Sequence, residues 1–455
     1  MITEVRKLLD EKKILGVREL LVDEEAADIA IIFEQIPPEE VTLMFRILPK
    51  QLASEVFVEM DTEMQQALIE AFTDVELTEM VDTLFIDDTV DIIEEMPSNV
   101  VKRILKHSTV EKRAMINQLL HYPEDSAGTI MTLEFVELKA YMKVADAFES
   151  IRENGLKKET VYTCYVTDAK RVLIGVTSIR EMILAGNDAI IADIMVEEPV
   201  FAHTDDDKED VMKALAKYDF LAMPIVDGEG RLVGIVTIDD AMDVLQEEDT
   251  EDMEILAGMS PSDKPYLKTG VFELWLKRIP WLMILMISAT FSSKILTGFE
   301  SALTAVPVLM AFVPQLTGTS GNAGSQASVA VIRGLSLGEI EMGDIFYVLW
   351  KEIRVSFLCG ISLGIVNFIK MFLLNDVSRS EYGLEGALLI SFVVCLTMAL
   401  SVVLAKIVGC TLPIIAKRIG LDPAVMASPF ITTIVDVVSL LTYFGIARAL
   451  LGMAG

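Results

Sequence analysis

One carboxylate, Asp436, stands in an otherwise uncharged stretch, with 13 uncharged residues before it back to Asp422 and 11 after it before Arg448. An ion at that depth in a bilayer costs roughly 2.5 to 3.5 kcal/mol on insertion scales, so it needs a partner or a purpose. Thr432, Asp436, Ser439 and Tyr443 recur at steps of four, three and four, on one helical face, with Pro429 and Thr433 close by. A polar stripe on an apolar helix faces protein or water. Two readings follow: a hydrogen-bonded structural Asp, or a carboxylate in a cation path. Lys294 and Lys370 lie near span ends and make poor buried counter-ions, which favours the second. Between Glu300 and Arg333 a second charge-free stretch carries Pro307, Pro314 and the run Gly318-Thr-Ser-Gly321-Asn322-Ala-Gly324-Ser-Gln326. Asn322 and Gln326 supply carbonyl oxygens beside backbone expected to be irregular, which survives at membrane depth only where it is buried or lines water. Tight helix packing is the competing reading; a pore or cavity lining is the expectation.

The first 270 residues carry a different chemistry. They hold 58 acids and 26 bases, net −32, whereas residues 271–455 hold 11 acids and 12 bases. Between residues 51 and 100, Glu55, Glu59, Asp61, Glu63, Asp74, Asp82, Asp87, Asp88, Asp91, Glu94 and Glu95 occur without a single Lys or Arg. Such a stretch repels itself and calls for outside cations. The segment 246–258, with Glu247, Glu248, Asp249, Glu251, Asp252 and Glu254 and no base, would fray as a helix without them. Nucleic acid is excluded as a partner, since phosphate needs Lys and Arg; divalent cations are the natural partners. Three His and four scattered Cys offer no soft-metal set, so any metal is a hard, oxygen-loving one. No catalytic pattern appears, and the chain reads as not an enzyme. An intramembrane aspartyl protease would need two close carboxylates, and no second acid is expected deep in a span.

The elements that must position these residues form a multidomain chain. Residues 1–127 read as short helices in an all-α superhelix, with Phe33, Phe45, Phe57, Phe72 and Phe85 recurring every 12 to 15 residues. From 128 to 248 the pattern becomes α/β and repeats. Arg171-Val-Leu-Ile-Gly-Val-Thr177 is echoed by Arg231-Leu-Val-Gly-Ile-Val-Thr237, an offset of 60, and Thr129-Ile-Met131 by Asp193-Ile-Met195, an offset of 64. This tandem resembles a pair of CBS domains, 128–190 and 191–245, which implies a regulatory module sensing adenosyl ligands or ions. A connecting helix and linker, 246–272, break at Pro261 and Pro265. Hydropathy then gives an all-α membrane domain, 273–455, with five spans near 275–297, 303–331, 355–375, 386–408 and 423–449. Charged early residues leave no room for a signal peptide. Trp275, Lys277, Arg278, Lys351, Arg354, Lys406, Lys417 and Arg418 suit a cytoplasmic N-terminus and an outer C-terminus.

The string Pro314 to Gln326, the run Gly420-Leu-Asp422-Pro423 to Asp436, the CBS pair and the acidic helical front together resemble the MgtE family of magnesium channels and transporters. The resemblance spans essentially the whole chain. It implies a homodimer in the cell membrane, whose pore lies between subunits and is lined by the second and fifth spans. Asp436 would be the selectivity carboxylate, with Asn322, Gln326 and Thr432 nearby. It also implies feedback closure by cytosolic Mg2+ bound among Glu55, Asp87, Asp91, Asp207, Glu209, Asp219, Asp240, Asp243, Glu248, Glu251 and Asp252, and ATP near Phe220, Thr237 and Asp240. A secondary divalent-cation carrier shares these features; a membrane-anchored CBS sensor without transport would leave the polar stripe without a purpose.

Overall fold

The computed structural model describes residues 1–262, 266–374, 376–426 and 428–451. Pro265, expected to mark a break, lies outside the described residues. The chain divides into two compact units, Met1–Gln246 and Glu247–Gly455.

The first unit opens with ten helices: α1 (Ile2–Asp10), α2 (Ile14–Leu21), α3 (Ala26–Glu34), α4 (Pro38–Ile47), α5 (Lys50–Val58), α6 (Thr62–Ala71), α7 (Asp74–Thr83), α8 (Ile86–Glu95), α9 (Ser98–His107) and α10 (Val110–Leu119). From α3 on, helices begin at 26, 38, 50, 62, 74, 86, 98 and 110, a strict 12-residue unit. Its core position is occupied by Ile32, Met44, Val56, Leu68, Met80, Ile92, Ile104 and Ile116, all buried. The looser aromatic spacing seen in the sequence arises because Phe72 belongs to a second buried position, shared with Ile36, Leu48 and Met60, and Phe85 precedes α8. Starts are marked by Pro37, Pro49 and Pro97, by Asp61 accepting from the Met64 N–H, and by a Thr73–Glu76 capping box. Helices pack on those two along, α3 on α5, α5 on α7 and α7 on α9, which winds the superhelix. Cations close the junctions: Arg103 donates to the Ile69 and Phe72 carbonyls, and buried Lys112 to those of Val81 and Leu84. Arg46 binds Glu76 at 2.8 Å and Lys50 binds Glu79 at 2.8 Å, so flanking helices neutralise part of the base-free stretch.

The α/β part comprises β1 (Val136–Lys139), α11 (Val144–Asn154), β2 (Thr163–Thr167), β3 (Leu173–Ser178), α12 (Ile179–Ala185), α13 (Ile191–Ile194), β4 (Val196–Glu197), β5 (Ala202–His203), α14 (Lys208–Tyr218), β6 (Ala222–Val226) and β7 (Leu232–Thr237). One sheet has the order β1-β2-β3-β4, the other β5-β6-β7. Strand pairing corrects the repeat offset to 59: Thr163 faces Ser178 as Ala222 faces Thr237, and Val166 faces Gly175 as Ile225 faces Gly234. The two copies also interlock. Met195, from the second, lies where a Cβ on Gly175 would come 2.7 Å from its sulfur, and Met131, from the first, stands 2.7 Å from a Cβ on Gly234. Only glycine admits these methionines.

Helix α15 (Ile238–Leu256) runs from the first unit into the second. The second continues with α16 (Val271–Gly298), α17 (Glu300–Ala305), α18 (Leu309–Ser336), α19 (Ile345–Leu374), α20 (Arg379–Arg418, bent at Gly383) and α21 (Ser428–Leu451). Among the described residues, four helical stretches are long and apolar enough to cross a membrane, those containing α16, α19, α20 and α21. Helix α18, the expected second span, has the length at 28 residues, but its Gly, Ser, Thr, Asn and Gln lower its apolarity. It is also one continuous helix through Pro314 and the glycine run, where irregular backbone was expected. Its glycines serve packing instead. A Cβ on Gly409 of α20 would lie 2.2 Å from the Gly324 carbonyl oxygen, and one on Gly324 would meet Ile431 at 3.1 Å and Val435 at 3.2 Å.

Gly409→Ala should therefore force α18 and α20 apart, costing at least about 1 to 3 kcal/mol. Thermal unfolding in detergent checks this; a variant with unaltered midpoint would contradict the packing.

Candidate ion sites

Helix α21 carries the polar stripe, and the structure divides it. Ser439 donates to Ser320 of α18 at 2.7 Å, and Tyr443 donates to the Leu309 carbonyl at 2.9 Å; both are buried. Those two positions glue α21 to α18. Thr433 accepts from Ser288 of α16 at 3.2 Å. Asp436 differs: it is half-buried, and its Oδ1 is shut off from solvent with no hydrogen-bond partner. An orphaned carboxylate oxygen in an apolar helix favours a cation in its place. Gly321 lets α18 approach Thr432, whose Cγ2 would stand 3.0 Å from a Cβ there. Asn322 and Gln326, one turn apart on α18, are exposed on a face that the rest of the unit leaves uncovered. The side chains of Thr432, Asp436, Asn322 and Gln326 thus belong to two helices in direct contact.

Glu352, three residues before the expected third span, lies inside α19. Glu352 of α19 pairs with Lys406 of α20 at 3.4 Å, both largely buried. Because α19 begins ten residues before the hydropathic span and α20 extends to Arg418, these ends are helical and packed rather than loops. Glu352 has its counter-ion within the fold; Asp436 Oδ1 has none.

The water-facing acids converge at one place. Asp87 and Asp88 at the start of α8, Asp91 one turn on, Glu134 and Glu159 from the first CBS copy, and Asp239 and Asp240 at the start of α15 act on one another electrostatically. Glu134 fastens the two domains, accepting the Ile86 N–H at 2.9 Å across 48 residues of sequence. Burial, then repulsion from Asp88, pushes Asp87 up to about 7. Burial, then Asp87, does the same to Asp240, to about 7, and to Glu159, to about 9. Glu159 Oε2 is buried without a partner. Buried Lys112 faces Asp82, Asp87, Asp88 and Glu134, and Lys158 also acts on Glu134. Of the acids expected to sense a metal, the fold gathers Asp87, Asp91 and Asp240. Glu55, Asp207, Asp219 and Asp243 are exposed, and Glu209 pairs with Lys213 at 2.7 Å. Glu248, Glu251 and Asp252 lie on the part of α15 in the second unit. Sequence reasoning missed Lys112, Glu134, Glu159 and Asp239 as members, for nothing local in the chain marks them. The donors are the hard oxygens Mg2+ takes. Among the described residues no three His, Cys, Asp or Glu close into a chelating set.

Near the expected nucleotide residues, Phe220 stacks on Tyr218 with ring centroids 5.4 Å apart, and Thr237 donates its hydroxyl to Asp240. Further on, Gly258, at φ +72°, lies against the start of α21: a Cβ there would sit 2.9 Å from Pro429 Cγ.

Compared with known proteins, residues 313–446 match the divalent cation transporter model of MgtE, 24–125 the MgtE intracellular N domain and 191–247 a CBS domain. The chain is 34% identical over 450 residues to the magnesium transporter MgtE of Thermus thermophilus, covering 98% of both proteins. The chain belongs to the MgtE family. The Bacillus subtilis magnesium transporter MgtE is 30% identical, over 99% of this chain and 97% of that one. Among solved structures, the cytosolic domain of the Mg2+ channel MgtE in complex with ATP aligns at 33% identity and TM-score 0.51, covering 54% of this chain and 100% of that one. As in that family, this MgtE chain joins a helical N domain and a CBS pair to an apolar helical region.

The raised acids fix a pH dependence. An acid whose pKa rises on packing binds protons in the packed state that it would release when free, so packing weakens as pH climbs from the ordinary carboxylate range through about 9. A cation that binds there displaces those protons. Adding Mg2+ at pH 7 in weak buffer should release on the order of one proton per chain, followed with a pH dye, and Asp87→Asn with Asp240→Asn should reduce the release. Proton-neutral Mg2+ binding would contradict the cluster.

Proposed function

We propose that this chain forms a Mg2+-selective channel of the cell membrane, working as a homodimer with five spans per subunit. The N-terminus faces the cytosol and the C-terminus the outside. The observation that carries the reading is the unpartnered Asp436 oxygen beside the uncovered Asn322–Gln326 face. Two copies of that face, brought together, enclose a passage between α18 and α21 with an Asp436 from each side. Mg2+ sheds its octahedral water reluctantly. Two opposed carboxylates accept hydrogen bonds from the ion's water and need not strip it, while Asn322, Gln326 and the Thr432 backbone offer further oxygens. A ring of acids selects cations.

Closure follows from the acid cluster. When cytosolic Mg2+ is scarce, repulsion among Asp87, Asp91 and Asp240 and their neighbours loosens the water-facing domains; when it is plentiful, ions bridge them and the pore shuts. Glu55, Asp207, Glu209, Asp219, Asp243, Glu248, Glu251 and Asp252 supply the remaining ion contacts in this reading. The contact of Gly258 with Pro429 supports α15 as the element that transmits closure, since the segment ending that helix bears on the first turn of α21. ATP is proposed at Phe220, Thr237 and Asp240. With Asp87 and Asp239 acting on Asp240, a triphosphate there needs its own Mg2+.

A secondary carrier would use the same residues, and unitary currents in patch recordings distinguish the two: a channel passes many ions per opening. Asp436→Ala should cut Mg2+ flux by roughly tenfold or more, the loss of about 1.4 kcal/mol of ion binding, while the protein still assembles. Normal currents from that variant would refute the path. Neutralising Glu248, Glu251 and Asp252 together should shift inhibition to higher internal Mg2+; an unmoved inhibition curve would count against the feedback. Reconstituted vesicles impermeable to Mg2+ would favour a sensor without transport.

A further inference from the structure

A cavity of about 350 Å3 opens in the first CBS copy between the end of α11, the turn Gly155–Lys157 and edge strand β1. That volume is within the range of small-molecule sites. Phe135, Val136 and Ile151 give it an apolar wall, while Lys157, Lys158 and Arg171 line it with three cations against one acid, Glu137. Glu137 is already engaged: it accepts from Lys139 at 2.7 Å and from Thr167 at 2.6 Å, with Arg171 Nε 3.7 Å away. Among the described residues neither Lys157 nor Lys158 forms an ion pair within 4.0 Å, although Lys158 acts electrostatically on Glu134, in a portion that carries a net charge of −32.

The internal repeat shows that the arginine is out of the ordinary. Asp168 Oδ1 accepts the N–H groups of Lys170 and Val172 at 2.7 and 2.9 Å; Asp227 Oδ1 accepts those of Glu229 and Arg231, both at 2.9 Å. The two turns are equivalent, and at the left-handed position the second copy has Gly230, φ +76°, where the first has Arg171, φ +66°. A long side chain rarely adopts that backbone, and such residues collect where the side chain is used. Here it brings a guanidinium to the cavity.

We infer that this cavity binds a phosphoryl-bearing anion, with the Arg171 fork and the Lys157 and Lys158 ammonium groups holding the phosphoryl oxygens. None of Phe220, Thr237 and Asp240 lines this cavity, and nothing in it depends on transport.

Amine acylation of the full chain in detergent, read lysine by lysine by mass spectrometry without Mg2+, tests it. Inorganic phosphate should protect Lys157 and Lys158 severalfold while leaving Lys102 and Lys217 unchanged. Arg171→Gly, which suits the turn, should move that protection to about tenfold higher phosphate, the equivalent of one strong charge-assisted contact. Protection matched by sodium chloride at equal ionic strength, or unaltered in Arg171→Gly, would overturn the site. An ATP arm identifies the source: protection at lower concentration than phosphate marks a nucleotide seated on the apolar wall, and equal or weaker protection marks free phosphate.

Discussion

Two carboxylates about 4 Å apart repel by about 1 kcal/mol in water and about 4 kcal/mol at an effective dielectric of 20. The chain sets that repulsion against packing at the start of α8 and α15, where Asp87, Asp240 and Glu159 are held by burial well above the ordinary carboxylate range. An arrangement of this kind is poised: each added cation or proton favours packing and each removed one opposes it. Lys112 shows the opposite choice, a cation built permanently into the superhelix and committed to the Val81 and Leu84 carbonyls.

The membrane unit uses the same logic more sparingly. Its buried polar groups are mostly paired within the fold, Ser439 with Ser320, Gln315 with Asn367 at 2.6 Å, and Glu352 with Lys406. The Asp436 oxygen has no such partner, and neither do the buried Ser328 and Ser401 hydroxyls; of these, Asp436 alone can carry a charge. Glycines at 321, 324 and 409 bring the backbones of three helices close enough that the helix carrying Asn322 touches the one carrying Asp436. A sequence that placed the same carboxylate on a helix held at arm's length by larger side chains would lose this close contact of the two helices.

Much of the architecture was legible because it is periodic. The 12-residue helical unit, the α/β repeat and the long apolar runs each impose a spacing that residue types alone reveal. Errors arose where periodicity competes with local cues. Pro314 and the glycines read as a break, yet neighbouring helices supply the packing that keeps α18 continuous. The repeat offset slipped by one because Arg171 resembles Arg231, while strand pairing aligns Arg171 with Gly230. Asp436 stood out for its isolation in an apolar context, which is a one-dimensional property.

The sequence by itself determined which stretches are apolar, which are acidic and where the lone deep carboxylate falls, because hydropathy and charge belong to residues in order. Only the tertiary structure decided which acids meet. Glu134 and Glu159 join Asp87 and Asp240 from far along the chain, Glu352 finds Lys406 across two helices, and Ser439 and Tyr443 turn out to be packing contacts rather than lining. Convergence depends on distances through space, and no spacing along the chain encodes them.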